Sequence, residues 1–172
     1  MNTATKLTML RVLMIPLFLV FLYLGHRYAA LGIFILASCT DFVDGYIARH
    51  YNQITDFGKF MDPLADKVLV LAAMLWSVEA GLMPAWAVLI VVLREFAVSG
   101  LRLVAVDNGR VIAAGWSGKV KTATTMVCLC VMLLPIPGWL NTLCWALIVA
   151  TTIYSGCEYF VKNKDVFLGG AM

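Results

Sequence analysis

Four aspartates stand where apolar runs should exclude them: Asp41 and Asp44 late in one hydrophobic stretch, Asp62 and Asp66 early in the next. Asp41, Asp44 and Gly45 fall at i, i+3 and i+4, and Asp62 and Asp66 at i and i+4, so on helices each set lines one face. An ionised side chain at the centre of an apolar helix costs at least roughly 2.5 kcal/mol on insertion scales, so such groups face a cavity or a partner. Four carboxylates in a low dielectric demand a counter-cation. Oxygen donors with no Cys or His among them select a hard ion, Mg²⁺ ahead of Mn²⁺ or Ca²⁺. Two such ions about 3.5–4 Å apart are the usual device for displacement at phosphorus. Gly45 removes a side chain beside the acids and Gly58 does so one turn before Asp62, which lets a bulky ligand approach the backbone. Pro63 fits either in the first turn of its helix or at a kink that turns backbone groups toward the site.

The elements that must position these groups follow from composition. The chain has 172 residues, 62% hydrophobic and 13% charged, against roughly 45–50% and about 25% in ordinary soluble domains. A mean hydropathy of +0.90 is too high for one small core to hide, which excludes a soluble enzyme, a disordered chain and a basic nucleic-acid binder. With roughly 20 residues per crossing, the apolar runs divide into six spans, at about 8–26, 30–48, 60–79, 84–106, 118–136 and 138–160. Gly81 to Pro84, Asp107 to Gly118 and Pro135 to Gly138 punctuate the later ones. The connections leave no room for a soluble domain. The expectation is an all-α integral membrane protein: one domain over residues 1–172, a six-transmembrane-helix bundle with a short N-terminal juxtamembrane segment. Alternation of the kind a barrel needs is absent from runs such as Leu13 to Leu24.

Lys6, Arg11, Arg49, Lys59, Lys67, Arg102, Arg110, Lys119, Lys121, Lys162 and Lys164 fall toward one membrane face and only Arg27 toward the other, so the positive-inside rule makes both termini cytoplasmic. The alternating directions of the spans then bring the four aspartates to one level in the cytoplasmic half, with Lys119 and Lys121 on the same side. Arg94 and Glu95 sit near the middle of span four. A buried arginine with no topological purpose needs an anion, and Glu95 and Glu158 are its alternative protein partners. Cys39, Cys128, Cys130, Cys144 and Cys157 all lie in apolar stretches without a metal-binding spacing and read as buried thiols. His26 and His50 are isolated and read as interfacial. The first apolar run carries no small-residue cleavage site and reads on as a span.

The residues Asp41-Phe-Val-Asp44-Gly45-Tyr-Ile-Ala48-Arg49, then Gly58, Asp62 and Asp66, match every fixed position of the DxxDGxxAR(x8)GxxxDxxxD signature, and the chain thereby resembles the CDP-alcohol phosphotransferases. The opening Asn2 to Arg11, the run Arg94-Glu95-Phe with Ser99-Gly100-Leu101-Arg102, and Gly118-Lys119-Val-Lys121-Thr122 look like the bacterial phosphatidylglycerophosphate synthase branch of that family. One departure is Ala4, where that branch often has proline.

The resemblance implies transfer of a phosphatidyl group from CDP-diacylglycerol to sn-glycerol 3-phosphate in the cell membrane, with the site on the cytoplasmic side and a homodimeric assembly. It implies two Mg²⁺ ions, replaceable by Mn²⁺, with Asp41 and Asp62 bridging both, Asp44 completing one and Asp66 the other. Asp66 would also be the catalytic base. Asn2, Thr5, Arg11, Asp41, Gly45, Arg49, Thr55 and Gly58 would bind CDP-diacylglycerol. An acceptor phosphate needs cations, and by the residues themselves Arg94, Arg102, Lys119 and Lys121 are the available ones, Arg94 first, with Glu95 then orienting the cationic groups rather than touching substrate. The alternatives are the same donor with inositol phosphate, serine or phosphatidylglycerol as acceptor. Outside enzymes, a small cation or proton carrier also places acids inside a bundle, although here they gather at one face without an inverted repeat.

Overall fold

The computed structural model describes residues 3–50, 56–107, 109, 112 and 115–164, and the side chains of 9–40, 64–107, 109, 112 and 115–164. Among the described residues there are six helices and no strand: α1 Thr3–Tyr23, α2 Arg27–His50, α3 Asp56–Glu79, α4 Ala85–Asp107, α5 Trp116–Met132 and α6 Gly138–Lys162. Each corresponds to one apolar run, with three boundaries moved by four residues or more: α1 starts at Thr3 rather than 8, so the expected N-terminal juxtamembrane segment is helical from Thr3 on. α5 stops at Met132 rather than 136, because Pro135 disfavours helical backbone at Leu134 and cannot itself continue the hydrogen-bond ladder. α3 starts at Asp56 rather than 60, so Pro63 lies inside the helix and not in its first turn.

Glycines end the helices where the sequence placed turns. At the end of α1, Gly25 adopts φ 81°, its N–H bonds to the Leu22 carbonyl at 3.0 Å, and the His26 N–H reaches back to Phe21 at 2.9 Å. This Schellman closure needs a left-handed residue, which glycine takes without a Cβ penalty. Gly81 closes α3 with φ 71° and a 3.0 Å bond to Val78.

The chain forms two compact units. In the first, Met1–Gly81 with Cys130–Ile136, α1 packs against both α2 and α3. Arg11, Ile15, Phe18 and Leu22 repeat at helical spacing as the buried stripe of α1, facing Ala30, Phe34 and Ala37 of α2 and Ala65, Leu69, Ala72, Ala73 and Trp76 of α3. The alanines allow close backbone approach, and the Phe18 and Phe34 rings meet at 5.7 Å. One end of this unit is clasped: the Tyr23 hydroxyl donates to Glu79 at 2.6 Å, and Arg27 lies 5.3 Å from the Trp76 ring centroid.

In the second unit, Leu82–Leu129 with Pro137–Met172, α4 packs along α6. The α4 stripe Ala87, Val88, Val91, Val98, Leu101, Ala105 meets the α6 stripe Asn141, Cys144, Ile148, Val149, Thr152, Ser155, Gly156, Tyr159. Cross-contacts pair Trp86 with Trp145 edge-on at 5.4 Å, then Arg94 with Ser155 and Arg102 with Tyr159. Both numbers rise together, so the two helices run parallel.

Large apolar side chains face outward on both units, including Leu13 at 68% exposure, Phe96 at 74% and Leu103 at 72%. Among the described residues, Gly138–Lys162 is long and apolar enough to cross a membrane, and Met9–Tyr23 and Arg27–Thr40 are shorter apolar helical segments.

Gly81 and Gly32 separate backbone strain from lack of space, since an added Cβ meets nothing within 4 Å at either. Gly81→Ala is expected to destabilise by about 1–2 kcal/mol through its positive φ, whereas Gly32→Ala, inside α2, is neutral or stabilising by about 0.5–1 kcal/mol. Thermal unfolding of the two detergent-solubilised variants checks this.

Candidate active site

The signature aspartates sit on uninterrupted helix. Asp41 and Asp44 fall within α2 and Asp62 and Asp66 within α3, so the i, i+3 and i, i+4 spacings place each pair on one helix face. The clasp of Arg27 on Trp76 aligns the start of α2 with the end of α3. Counting back at about 1.5 Å per residue puts Asp41 and Asp44 roughly 21–26 Å from that end, and Asp62 and Asp66 roughly 15–21 Å from it. The two acidic pairs thus lie at similar depth, toward the end of the first unit opposite the clasp. Asp66 is half-buried, beside buried Ala65 and one turn before buried Leu69.

Asn2 and Thr55 lie outside the described residues, and so do the side chains of Thr5, Asp41, Asp44, Gly45, Arg49, Gly58 and Asp62. Among the described residues no group of three metal-ligating side chains occurs. The donor chemistry of the four aspartates nonetheless suits a hard divalent cation, since all are carboxylates and helical register holds each pair together. Arg11 is fully buried, in line with Ile15 and Phe18 on the α1 stripe.

The second unit holds a built polar cluster. Arg94 falls between Val91 and Val98 in the buried α4 stripe, and Lys121 opens the buried α5 series that continues with Thr125 and Cys128. Arg94 is thereby directed into the α4 and α6 seam, and Lys121 lies on the buried face of α5. One oxygen, Glu95 Oε1, accepts from Arg94 Nη1 at 2.9 Å and from Lys121 Nζ at 2.9 Å. The other arm of the guanidinium, Nη2, donates to Ser155 Oγ at 2.6 Å. Gly156 makes room for Arg94: a Cβ there would come within 3.2 Å of Arg94 Cγ. Side-chain exposure is 13% for Arg94, 7% for Lys121 and 27% for Glu95. Two cations against one carboxylate leave an excess positive charge in this trio. Arg94 Nε, moreover, is buried without a hydrogen-bond acceptor, and such an orphaned donor is costly unless a ligand satisfies it.

The four expected acceptor cations are not all in this cluster. The structure joins Arg94 and Lys121 through Glu95, but exposed Arg102 donates from Nε to the Tyr159 hydroxyl at 2.9 Å, and exposed Lys119 lies 5.7 Å from the Trp116 ring. Of the two alternative partners for Arg94, the structure uses Glu95. Glu158 is engaged by Lys162 one turn on. Ser155, Gly156 and Tyr159 were not anticipated. Their only sequence signal is a small Ser-Gly pair and a tyrosine on the apolar face of α6, where packing is the simpler reading.

The sequence matches the model of the CDP-alcohol phosphatidyltransferase family over residues 1–154. The chain therefore belongs to that enzyme family, which is generally dependent on a divalent metal. It is 40% identical to the Bacillus subtilis (strain 168) CDP-diacylglycerol–glycerol-3-phosphate 3-phosphatidyltransferase, over 95% of this chain and 96% of that protein. It is 42% identical to the Escherichia coli (strain K12) protein of the same name, over 74% of each. A probable phosphatidylglycerophosphate synthase of Mycobacterium tuberculosis (strain ATCC 25618 / H37Rv) is 36% identical over 94% of this chain and 81% of its own length.

Contacts of the two arginines should separate by burial. Ser155→Ala removes a charge-assisted bond from a nearly buried guanidinium and is expected to cost about 1.5–3 kcal/mol. Tyr159→Phe keeps the ring beneath solvent-exposed Arg102 and is expected to cost no more than about 1 kcal/mol. Thermal midpoints of the two variants in one detergent test the ranking.

Proposed function

We propose that this chain transfers the phosphatidyl group of CDP-diacylglycerol to sn-glycerol 3-phosphate, giving phosphatidylglycerophosphate and CMP, as a step of phospholipid biosynthesis. The observation that carries the reading is the 40% identity to a relative of that name over 95% of this chain and 96% of the relative. The buried excess of positive charge around Arg94 and Lys121 supports an acceptor that carries a phosphate.

In the proposed reaction, the acceptor hydroxyl oxygen bonds to the phosphorus bearing the diacylglycerol, and the bond from that phosphorus to the CMP oxygen breaks. The bonding electrons leave with CMP and the hydroxyl proton passes to Asp66, the general base. Asp41, Asp44, Asp62 and Asp66 would hold two Mg²⁺ ions, replaceable by Mn²⁺, which when bound stabilise the charge on the diphosphate and on departing CMP. Asn2, Thr5, Arg11, Gly45, Arg49, Thr55 and Gly58 are assigned to the cytidine diphosphate of the donor. Gly45 and Gly58 contribute by lacking side chains where a bulky nucleotide must approach the helices.

Arg94 and Lys121 are assigned to the acceptor phosphate, the arginine as a planar fork and the lysine as a point charge. Arg102 and Lys119 are assigned to drawing the anion in, because both are exposed and long-range attraction is what exposed charges do best. The placement proposed is a single six-span domain, residues 1–172, in the cell membrane with both termini and the active site cytoplasmic. Outward-facing Leu13, Phe96 and Leu103 support a lipid environment. There a lipid donor enters from the bilayer and a soluble acceptor from water. The assembly proposed is a homodimer.

Purified protein in detergent with CDP-diacylglycerol and Mg²⁺ is expected to release CMP with glycerol 3-phosphate and not with inositol phosphate, serine or phosphatidylglycerol. Asp66→Ala should lower the rate by about 10²–10⁴-fold, and EDTA should abolish release until Mg²⁺ is restored. Release with a different acceptor overturns the acceptor assignment, and release that survives EDTA overturns the metal assignment.

A further inference from the structure

We infer that Glu95 is a positioning residue, which together with Ser155 fixes Arg94 and Lys121 as a preformed seat for the phosphate monoester of the acceptor. The inference rests on the acceptor reading above and extends it to residues that touch no substrate. Arg94 and Lys121 come from different helices and, being like charges, repel. One carboxylate oxygen 2.9 Å from each draws them together. The guanidinium is gripped at both ends, by Glu95 at Nη1 and by Ser155 at Nη2. The closeness of Gly156 to Arg94 Cγ limits any swing of its stem. Nε is left over, a buried donor without an acceptor.

The charges sharpen the assignment. Arg94 and Lys121 without Glu95 would place two unneutralised cations at 13% and 7% exposure, an arrangement whose desolvation and mutual repulsion favour spreading apart. With Glu95 present the trio keeps one excess positive charge, enough to attract a phosphate and small enough to persist before it arrives. Preorganisation of this kind lowers the cost of binding the anion without entering the bond-making step. Its loss should therefore appear in acceptor affinity and leave turnover at saturation nearly intact.

The test is steady-state kinetics of Glu95→Gln, which keeps the shape and removes the charge, in detergent with both substrates varied. The KM for glycerol 3-phosphate is expected to rise about tenfold or more, with kcat within about threefold and the KM for CDP-diacylglycerol unchanged. In a Lys121→Ala background, Glu95→Gln should add less than about threefold, because the pair acts as a unit. If Glu95→Gln does not remain monodisperse, Ser155→Ala takes its place, and its KM for glycerol 3-phosphate should rise about threefold or more with the same split. An unchanged acceptor KM in the variant examined overturns the positioning role. A lowered acceptor KM also overturns it, because Glu95 would then be competing with the phosphate. Wild-type protein that releases CMP only with an uncharged acceptor instead overturns the acceptor reading on which the inference stands.

Discussion

An ionised side chain in an apolar helix must be compensated where it lies, and this constraint organises both units of the protein. Arg94 interrupts the buried stripe of α4, so its charge cannot reach water without disturbing the α4 and α6 packing. Its compensation is local, through Glu95 next in sequence and Ser155 across the seam. Lys121 on α5 shares the same carboxylate. The cluster is incompletely satisfied, since Arg94 Nε has no acceptor, and that is the observation on which the proposed anion seat rests.

The acidic half follows the same constraint with the opposite sign. Two helices each carry two aspartates at helical spacing, and carboxylates at similar depth in an apolar environment need cations. The ends of the first unit divide the work. At one end Tyr23 with Glu79, and Arg27 with Trp76, hold α1, α2 and α3 in register. The opposite end, free of that clasp, carries the family signature. The second unit keeps its register through the parallel series of Trp86 on Trp145, Arg94 on Ser155 and Arg102 on Tyr159.

Much of this was legible in the residues, and the omissions have physical causes. Apolar runs punctuated by Gly81, Pro84 and Pro135 define the later helices because a left-handed glycine or a proline interrupts a helix by backbone chemistry alone. The start of α3 was not legible, since Asp56 to Lys59 is polar enough to read as a loop and becomes helix only in its structural setting. The end of α5 was misplaced for the opposite reason: Leu133, Leu134 and Ile136 continue the apolar run past the helix that Pro135 terminates. The aspartate spacing exposed the candidate metal site because carboxylates are conspicuous in apolar sequence. Ser155 and Gly156 were inconspicuous because small residues on an apolar helix normally serve close packing. Only the register of Arg94 against α6 gives them a role. Charge alone groups Arg102 and Lys119 with Arg94 and Lys121, and only the structure shows that the first two are exposed, Arg102 against the buried Tyr159 ring and Lys119 near the exposed Trp116 ring, while the other two share Glu95.

The most direct test of the central claim is transfer of isotopically labelled glycerol 3-phosphate into lipid by the purified protein supplied with CDP-diacylglycerol and Mg²⁺. The account predicts label in the organic phase as phosphatidylglycerophosphate, identified by mass, in equal amount to the CMP released. Label that stays in the aqueous phase while CDP-diacylglycerol is consumed would contradict it, because the donor would then be reacting with something other than the phosphate-bearing acceptor to which the Arg94 and Lys121 cluster is assigned.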